Sequence, residues 1–225
     1  MLVMFHKGQV SEKKEIIISK AIVAGWTGSD KAALEKHIKE LEELGVARPV
    51  STPIYYRVSA SRLTTEQRIE TVGGDSSGEV EFVLLQSGGE LWVGVGSDHT
   101  DRKAETYNVT VSKQMCEKPI APEFWAFADV VPHWENLIMR SFIEENGARV
   151  LYQEGSVTAM QYPMALIKGY QDHQSLDEKS IMFCGTFAAK GGIRPADFFE
   201  YELHDPILNR TIRHSYRLDK LPVMG

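Results

Sequence analysis

The chain has 225 residues, 43% of them hydrophobic and 25% charged, an ordinary balance for a folded globular protein with ample apolar material for a core. Its formal net charge is −6 and its pI is near 5.7, with no run of basic residues, which argues against a nucleic acid as partner. Cys116 and Cys184 make neither a disulfide framework nor a CxxC pair, no stretch approaches the ~20 apolar residues of a membrane span, and the N-terminus shows no cleavage-site pattern; the expected location is the reducing cytoplasm.

Residues 2–5 and 15–19 are apolar or alternating runs parted by a polar segment, and read as a small hairpin. They form an N-terminal strand extension (residues 1–21) of what is expected to be one domain spanning 1–225. Residues 22–26 read as a short strand. Thr27 to Asp30 then supply turn and cap residues before a helix over 32–44, whose apolar positions Ala33, Leu34, Ile38, Leu41 and Leu44 recur at three- and four-residue intervals before Gly45. His37 and Glu40 are neighbours on that helix surface. Nearly every exposed position there is Glu or Lys, so the pair also fits a plain solvated face. Pro49 and Pro53 break regular structure, and residues 54–58 resume as a strand carrying Arg57. The loop 71–77 holds glycines as turn formers and lacks the GxxxxGK pattern of a nucleotide cradle.

The stretch 78–113 carries the chemistry. Glu79 and Glu81 are two residues apart, which on a strand aims both carboxylates at one face. Residues 82–85 and 91–95 form a hairpin around Gly88-Gly89, and folding it back brings Asp98 toward the glutamates. Three carboxylates make an oxygen-rich pocket suited to magnesium, manganese or calcium. Arg102 and Lys113 follow closely, as positive charge for an anionic substrate. The same residues also fit the wet face of a strand and a polar turn, with the carboxylates scattered over a surface.

Beyond this stretch, the proline-rich residues 114–125 are expected to wrap the surface near the site. Residues 139–143 and 148–153 read as a hairpin, 162–170 as a core helix with Pro163 in its first turn, and 181–184 as a buried strand. Residues 198–203 and 211–217 close the chain as strands. Many short strands against two convincing helices predict a β-rich α+β fold.

The order Glu79-Val-Glu81, Gly96-Ser-Asp98-His-Thr100-Asp-Arg102, Ser112-Lys113 and Gly185-Thr186 resembles the fumarylacetoacetase (fumarylacetoacetate hydrolase) superfamily. Further matches lie between, at residues 53–61, 146–155 and 176–185, so the likeness covers most of the chain and points to an uncharacterised bacterial branch. The resemblance implies a mixed β-roll or sandwich with a lid helix, a homodimer, and a divalent metal on Glu79, Glu81 and Asp98. It implies that His37 and Glu40 form the acid-base pair of the lid, with Asp30 either a further ligand or only the helix cap. Arg57 stands where the family commonly has lysine, Trp26-Thr27 where it has Asn-Tyr, Glu105 where it often has glutamine, and Phe187 where it usually has proline. Thr186 is expected either to donate to substrate or to belong to a structural turn.

The expected activity is hydrolysis of a C–C bond in a small 2-oxo or β-dicarbonyl acid through a metal-stabilised enolate, with His37 activating water and Lys113 and Arg102 holding negative charge. Decarboxylation, dehydration or isomerisation of an oxo acid at the same site is the first alternative. A non-catalytic metal- or ligand-binding homologue is the second.

Overall fold

The computed structural model describes residues 1–43, 48–171 and 175–224, apart from the side chains of residues 37, 40–43 and 171. Its strands are β1 (Leu2–Lys7), β2 (Val10–Glu15), β3 (Lys20–Gly25), β4 (Ile54–Val58), β5 (Leu63–Thr64), β6 (Arg68–Val72), β7 (Ser76–Ser77), β8 (Val80–Ser87) and β9 (Glu90–Ser97). They continue with β10 (Thr100–Asp101), β11 (Lys118–Pro119), β12 (Glu123–Ala126), β13 (Ile138–Glu145), β14 (Ala148–Ser156), β15 (Ser180–Phe183), β16 (Phe198–Asp205) and β17 (Arg210–Leu221). The helices are α1 (Lys31–Glu43), α2 (Arg102–Tyr107), α3 (Val109–Met115), α4 (Phe127–Val130) and α5 (Pro163–Gln171).

Two sheets carry the fold. The larger runs β2-β1-β12-β9-β8-β15-β3-β4, and the smaller β14-β13-β16-β17-β6. Side chains alternate across the larger sheet, so the two sides of β8 belong to different cores. Val80, Phe82 and Leu84 join Val93 and Val95 against Phe199, Tyr201, Leu203 and Ile212 of the smaller sheet. Val83 and Leu85 face the other way, with Val3, Phe5, Phe124, Ile181 and Phe183. A strand buried on both faces needs apolar residues at every position, and β8 has them except at Glu81, Gln86 and the half-buried terminal Ser87. Each such Phe or Leu contributes about 1.5–3 kcal/mol through burial. Glu81 is the costly exception.

The β-rich α+β sandwich is as expected, and most elements fall where periodicity put them. Two segments differ. The partner of β1 is β2, nearer than the apolar run 15–19, because a two-residue turn at Gly8-Gln9 sets a register pairing Lys7 with Val10. β2 is an edge strand exposed at every position, which erases the alternation that would have marked it. The proline-rich segment 114–125 does not wrap the surface. Its β12 lies inside the large sheet, parallel to β1 and antiparallel to β9, with Ile120, Ala121 and Phe124 fully buried. Its prolines stand where no ladder N–H is required of them: the Pro122 carbonyl accepts from Met4 N at 2.8 Å, continuing the pairing into β1.

Helices α2 and α3 were absent from the sequence reading although their capping residues are plain in it. The Asp101 carboxylate accepts from Ala104 N at 2.7 Å and the Asn108 side-chain oxygen Oδ1 from Val111 N at 3.0 Å. These helices carry Arg102 and Lys113. Both pack beside the open end of the β8–β9 hairpin through β7, β10 and β4.

Candidate metal centre

The register of one hairpin assembles the carboxylates. Glu81 pairs with Gly96, and the Asp98 N–H donates to the Glu79 carbonyl at 3.0 Å, so positions 79, 81 and 98 share one face at the end of the sheet. One carboxylate oxygen from each lies within 4.8 Å of the others. Gly96 must be small: a Cβ there would stand 2.8 Å from Phe183 and 3.0 Å from the Pro119 carbonyl. The glycine lets β11 close over the site, and β11 brings Lys118.

Three cations face the three acids. Lys113 Nζ bonds Asp98 Oδ2 and lies 3.8 Å from Glu79, above the Tyr56 ring. Lys118 Nζ, fully buried, lies 3.1 Å from Asp98 Oδ1 and donates to the His99 carbonyl at 2.5 Å. Arg102 holds Glu79 at 3.1 Å, Glu105 at 2.9 Å and the Ser77 hydroxyl at 2.7 Å. Burial alone would raise the Asp98 carboxyl, but the two lysines hold it at about 2. Burial pushes Glu81 well above the usual carboxylate range, and the charges of Asp98 and Glu79 push it further. Burial disfavours charge on Lys113 too, yet Asp98, Glu79 and Glu81 outweigh it and raise its pKa. The two lysines therefore favour the ionised form of Asp98, burial and the neighbouring acids favour the neutral form of Glu81, and the acids favour the charged form of Lys113.

The donor set fits a hard divalent cation. All three ligands are carboxylates, and Asp98 Oδ1 is buried without a hydrogen bond, since Lys118 approaches it off the hydrogen-bond direction. A cation would satisfy that oxygen and favour the ionised form of Glu81.

The surrounding scaffold is densely bonded. The Gly185 N–H donates to Glu81 Oε2 at 2.7 Å. Gln153, buried on β14, accepts from Val80 N at 3.0 Å and from the Ser141 hydroxyl at 2.9 Å. Its amide nitrogen donates to the Thr186 hydroxyl at 2.9 Å and the Phe187 carbonyl at 2.7 Å. One side chain thus ties both sheets to the 185–187 turn. Behind Asp98, His99 bridges the Tyr216 hydroxyl at 2.7 Å and the Ser76 hydroxyl at 2.9 Å, while Tyr216 also meets the Ser97 hydroxyl at 2.9 Å. Burial, then the nearby Lys118 and Arg102 charges, bring His99 down to about 3, so it is a neutral brace.

The other candidate residues are dispersed. His37 and Glu40 fall on α1, and their side chains lie outside the described residues. Asp30 caps α1, accepting from Ala32 N at 2.9 Å and Ala33 N at 3.0 Å. Arg57 sits one strand position from Tyr56 and so faces away from Lys113, donating to the Ala21 carbonyl and the Tyr170 hydroxyl. The Thr186 hydroxyl donates to the Val80 carbonyl at 2.7 Å. Arg102 joins the cluster as a partner of Glu79 and Glu105. His99 and Tyr56 lie inside matched segments without a role of their own there, and Lys118 lies outside them: a lysine between a cysteine-glutamate pair and a proline has no motif, and only the tertiary fold buries it.

No curated protein matches the sequence. The fold is similar to that of Cg1458, whose crystal structure superposes with a TM-score of 0.62 at 14% identity, over 92% of this chain and 78% of that chain. A hexagonal crystal form of 2-keto-3-deoxyarabinonate dehydratase gives 0.64 at 13% identity, over 96% and 79% of the two chains. The 2-keto-3-deoxy-D-arabinonate dehydratase complexed with magnesium and 2,5-dioxopentanoate gives 0.62 at 14% identity, over 96% and 78%. At such identity the likeness is one of fold. The family model described as "Protein of unknown function (DUF2848)" matches residues 24–216, most of the chain, and this protein belongs to that family.

Proposed function

We propose that this chain is a divalent-metal-dependent enzyme of the fumarylacetoacetase superfamily that hydrolyses a C–C bond in a small 2-oxo or β-dicarbonyl acid. The observation that carries it is the triad Glu79, Glu81 and Asp98, gathered within 4.8 Å with one buried Asp98 oxygen lacking a hydrogen bond. Magnesium is the first choice of cation, since a dehydratase of similar fold is complexed with it. When bound, such a cation acts as a Lewis acid on the oxo acid and lowers the cost of the negative charge that develops as the neighbouring bond breaks.

The chain's own residues have separable roles. Lys113, raised in pKa by Asp98 and its neighbours, is a fixed positive charge beside the site and a poor proton donor. Arg102 is engaged by Glu79 and Glu105, so its task is to orient Glu79. The Gly185 N–H orients Glu81. In the hydrolytic reading His37, oriented by Glu40, takes the proton of the attacking water. The likeness of fold to the dehydratase favours a second reading, loss of water from a hydroxylated oxo acid, in which no water is activated.

The test is calorimetric titration of EDTA-treated protein with magnesium and manganese, comparing wild type with Glu81→Ala. Binding near one ion per chain, lost in the variant, supports the site. A screen of oxo acids then separates cleavage into two acids from loss of water. Absence of binding by either metal, with or without oxalate, overturns the proposal.

A further inference from the structure

We infer that the groove leading away from Glu79 selects a short aliphatic chain on the substrate and rejects a hydroxylated one. The inference rests on the hydrolytic reading of the proposed function, since a dehydratase must admit a hydroxylated chain, and it assumes the oxo-acid head lies at the carboxylate triad. A narrow cavity of about 40 Å³ is lined by Glu79 and Arg102 together with Tyr152, Phe187, Ala188 and Ile193. An outer one of about 340 Å³ shares Arg102 and Ile193 and adds Asp75, Lys103 and Pro195. The two adjoin, so a chain leaving the triad first meets the narrow part.

Most polar side chains of that narrow part already have protein partners. Gln153 uses both lone pairs of its oxygen and both protons of its nitrogen on protein partners. Each Arg102 nitrogen serves Ser77, Glu105 or Glu79. The Tyr152 hydroxyl accepts from Arg194 N at 3.2 Å. A substrate hydroxyl there would leave water for few partners, whereas a methylene would meet apolar walls. The far wall is also preformed. Arg194 anchors the 190–194 segment through Glu145, the Lys190 carbonyl at 2.8 Å and the Gly192 carbonyl at 2.9 Å, with its guanidinium 5.1 Å from the Tyr152 ring centre. Ile193 is thereby fixed at the junction of both cavities although it is 59% exposed. Asp75 and Lys103 mark where the groove turns polar and open.

The sequence already held a sign of this. Phe187 stands where the resembled superfamily usually has proline, and its ring packs so closely on Gly155 that a Cβ there would lie 2.7 Å from it.

The experiment measures calorimetric affinities of the magnesium-loaded protein for oxalate, pyruvate, 2-oxobutanoate, 2-oxopentanoate and 5-hydroxy-2-oxopentanoate. The readout is affinity, so turnover is not required of any member of the series. Expected is about a fourfold gain per methylene from pyruvate to 2-oxopentanoate, and at least roughly tenfold weaker binding of the hydroxylated chain. Ile193→Asn, at an exposed position, should flatten the series. A series already flat in wild type, or equal binding of the hydroxylated chain, overturns the inference while head-group binding stands. Failure of oxalate and pyruvate to bind at all overturns the proposed function and this inference together.

Discussion

Gln153→Leu removes an amide that makes four hydrogen bonds and replaces it with a side chain of similar size, so the cost isolates the polar network. Val80 N–H and the Phe187 carbonyl each lose a partner, and the Ser141 hydroxyl, fully buried, loses its acceptor. At about 1–3 kcal/mol for each stranded buried group, less their overlap, the loss is about 4 kcal/mol. With a urea slope of about 2–3 kcal/mol per molar, the unfolding midpoint should fall by roughly 1.5 M at unchanged slope. Gln153→Glu provides the internal check. It keeps the acceptor but presents a buried carboxylate to the Thr186 hydroxyl and the Phe187 carbonyl. Its folded-state pKa should therefore rise, and the variant should be most stable below the unfolded carboxylate pKa and lose stability as pH climbs through the folded value. A Gln153→Leu cost under about 1 kcal/mol would falsify the claim that this amide joins the two sheets to the 185–187 turn.

Three further outcomes follow from the same geometry. Lys113→Met leaves Asp98 with Lys118 alone and should destabilise the metal-free protein by about 3–5 kcal/mol; magnesium should raise its melting temperature more than it raises wild type, with turnover down at least roughly 100-fold. Equal magnesium shifts in the two proteins would count against the site. Gly185→Ala places a Cβ 1.8 Å from Thr27 Oγ1 at a φ of +101°; a loss of about 3–5 kcal/mol in urea unfolding is expected, and near-wild-type stability would show that the turn is looser than described. His214, buried beneath Tyr201, is held below its ordinary pKa chiefly by burial. It therefore contributes stability above the unfolded value of about 6.5 that is lost as pH falls; thermal scans at high and low pH should show a smaller acid loss in His214→Gln, and an unchanged loss refutes its part.

The sequence alone determined the hairpin and its gathering of three carboxylates. Glu79-x-Glu81, the glycine pair at 88–89 and Asp98 suffice, because strand alternation and a tight turn are local rules, and local rules put three carboxylates on one face. Helix α1, the 144–147 turn and the buried run before Gly185 were legible for the same reason. What decided the rest was distance along the chain. Lys118 reaches Asp98 only because Gly96 admits the segment 118–120 against the sheet, and no spacing rule links a glycine to a lysine so far beyond it. Gln153 and the apolar wall at Phe187 and Ile193 come from β14 and the stretch after β15, brought to the site by the packing of one sheet on the other. Polarity misread β2 and β12 for a related reason: an exposed edge strand and a proline-flanked central one lack the periodic burial that marks a strand, and only their neighbours' unpaired backbone groups call them into the sheet.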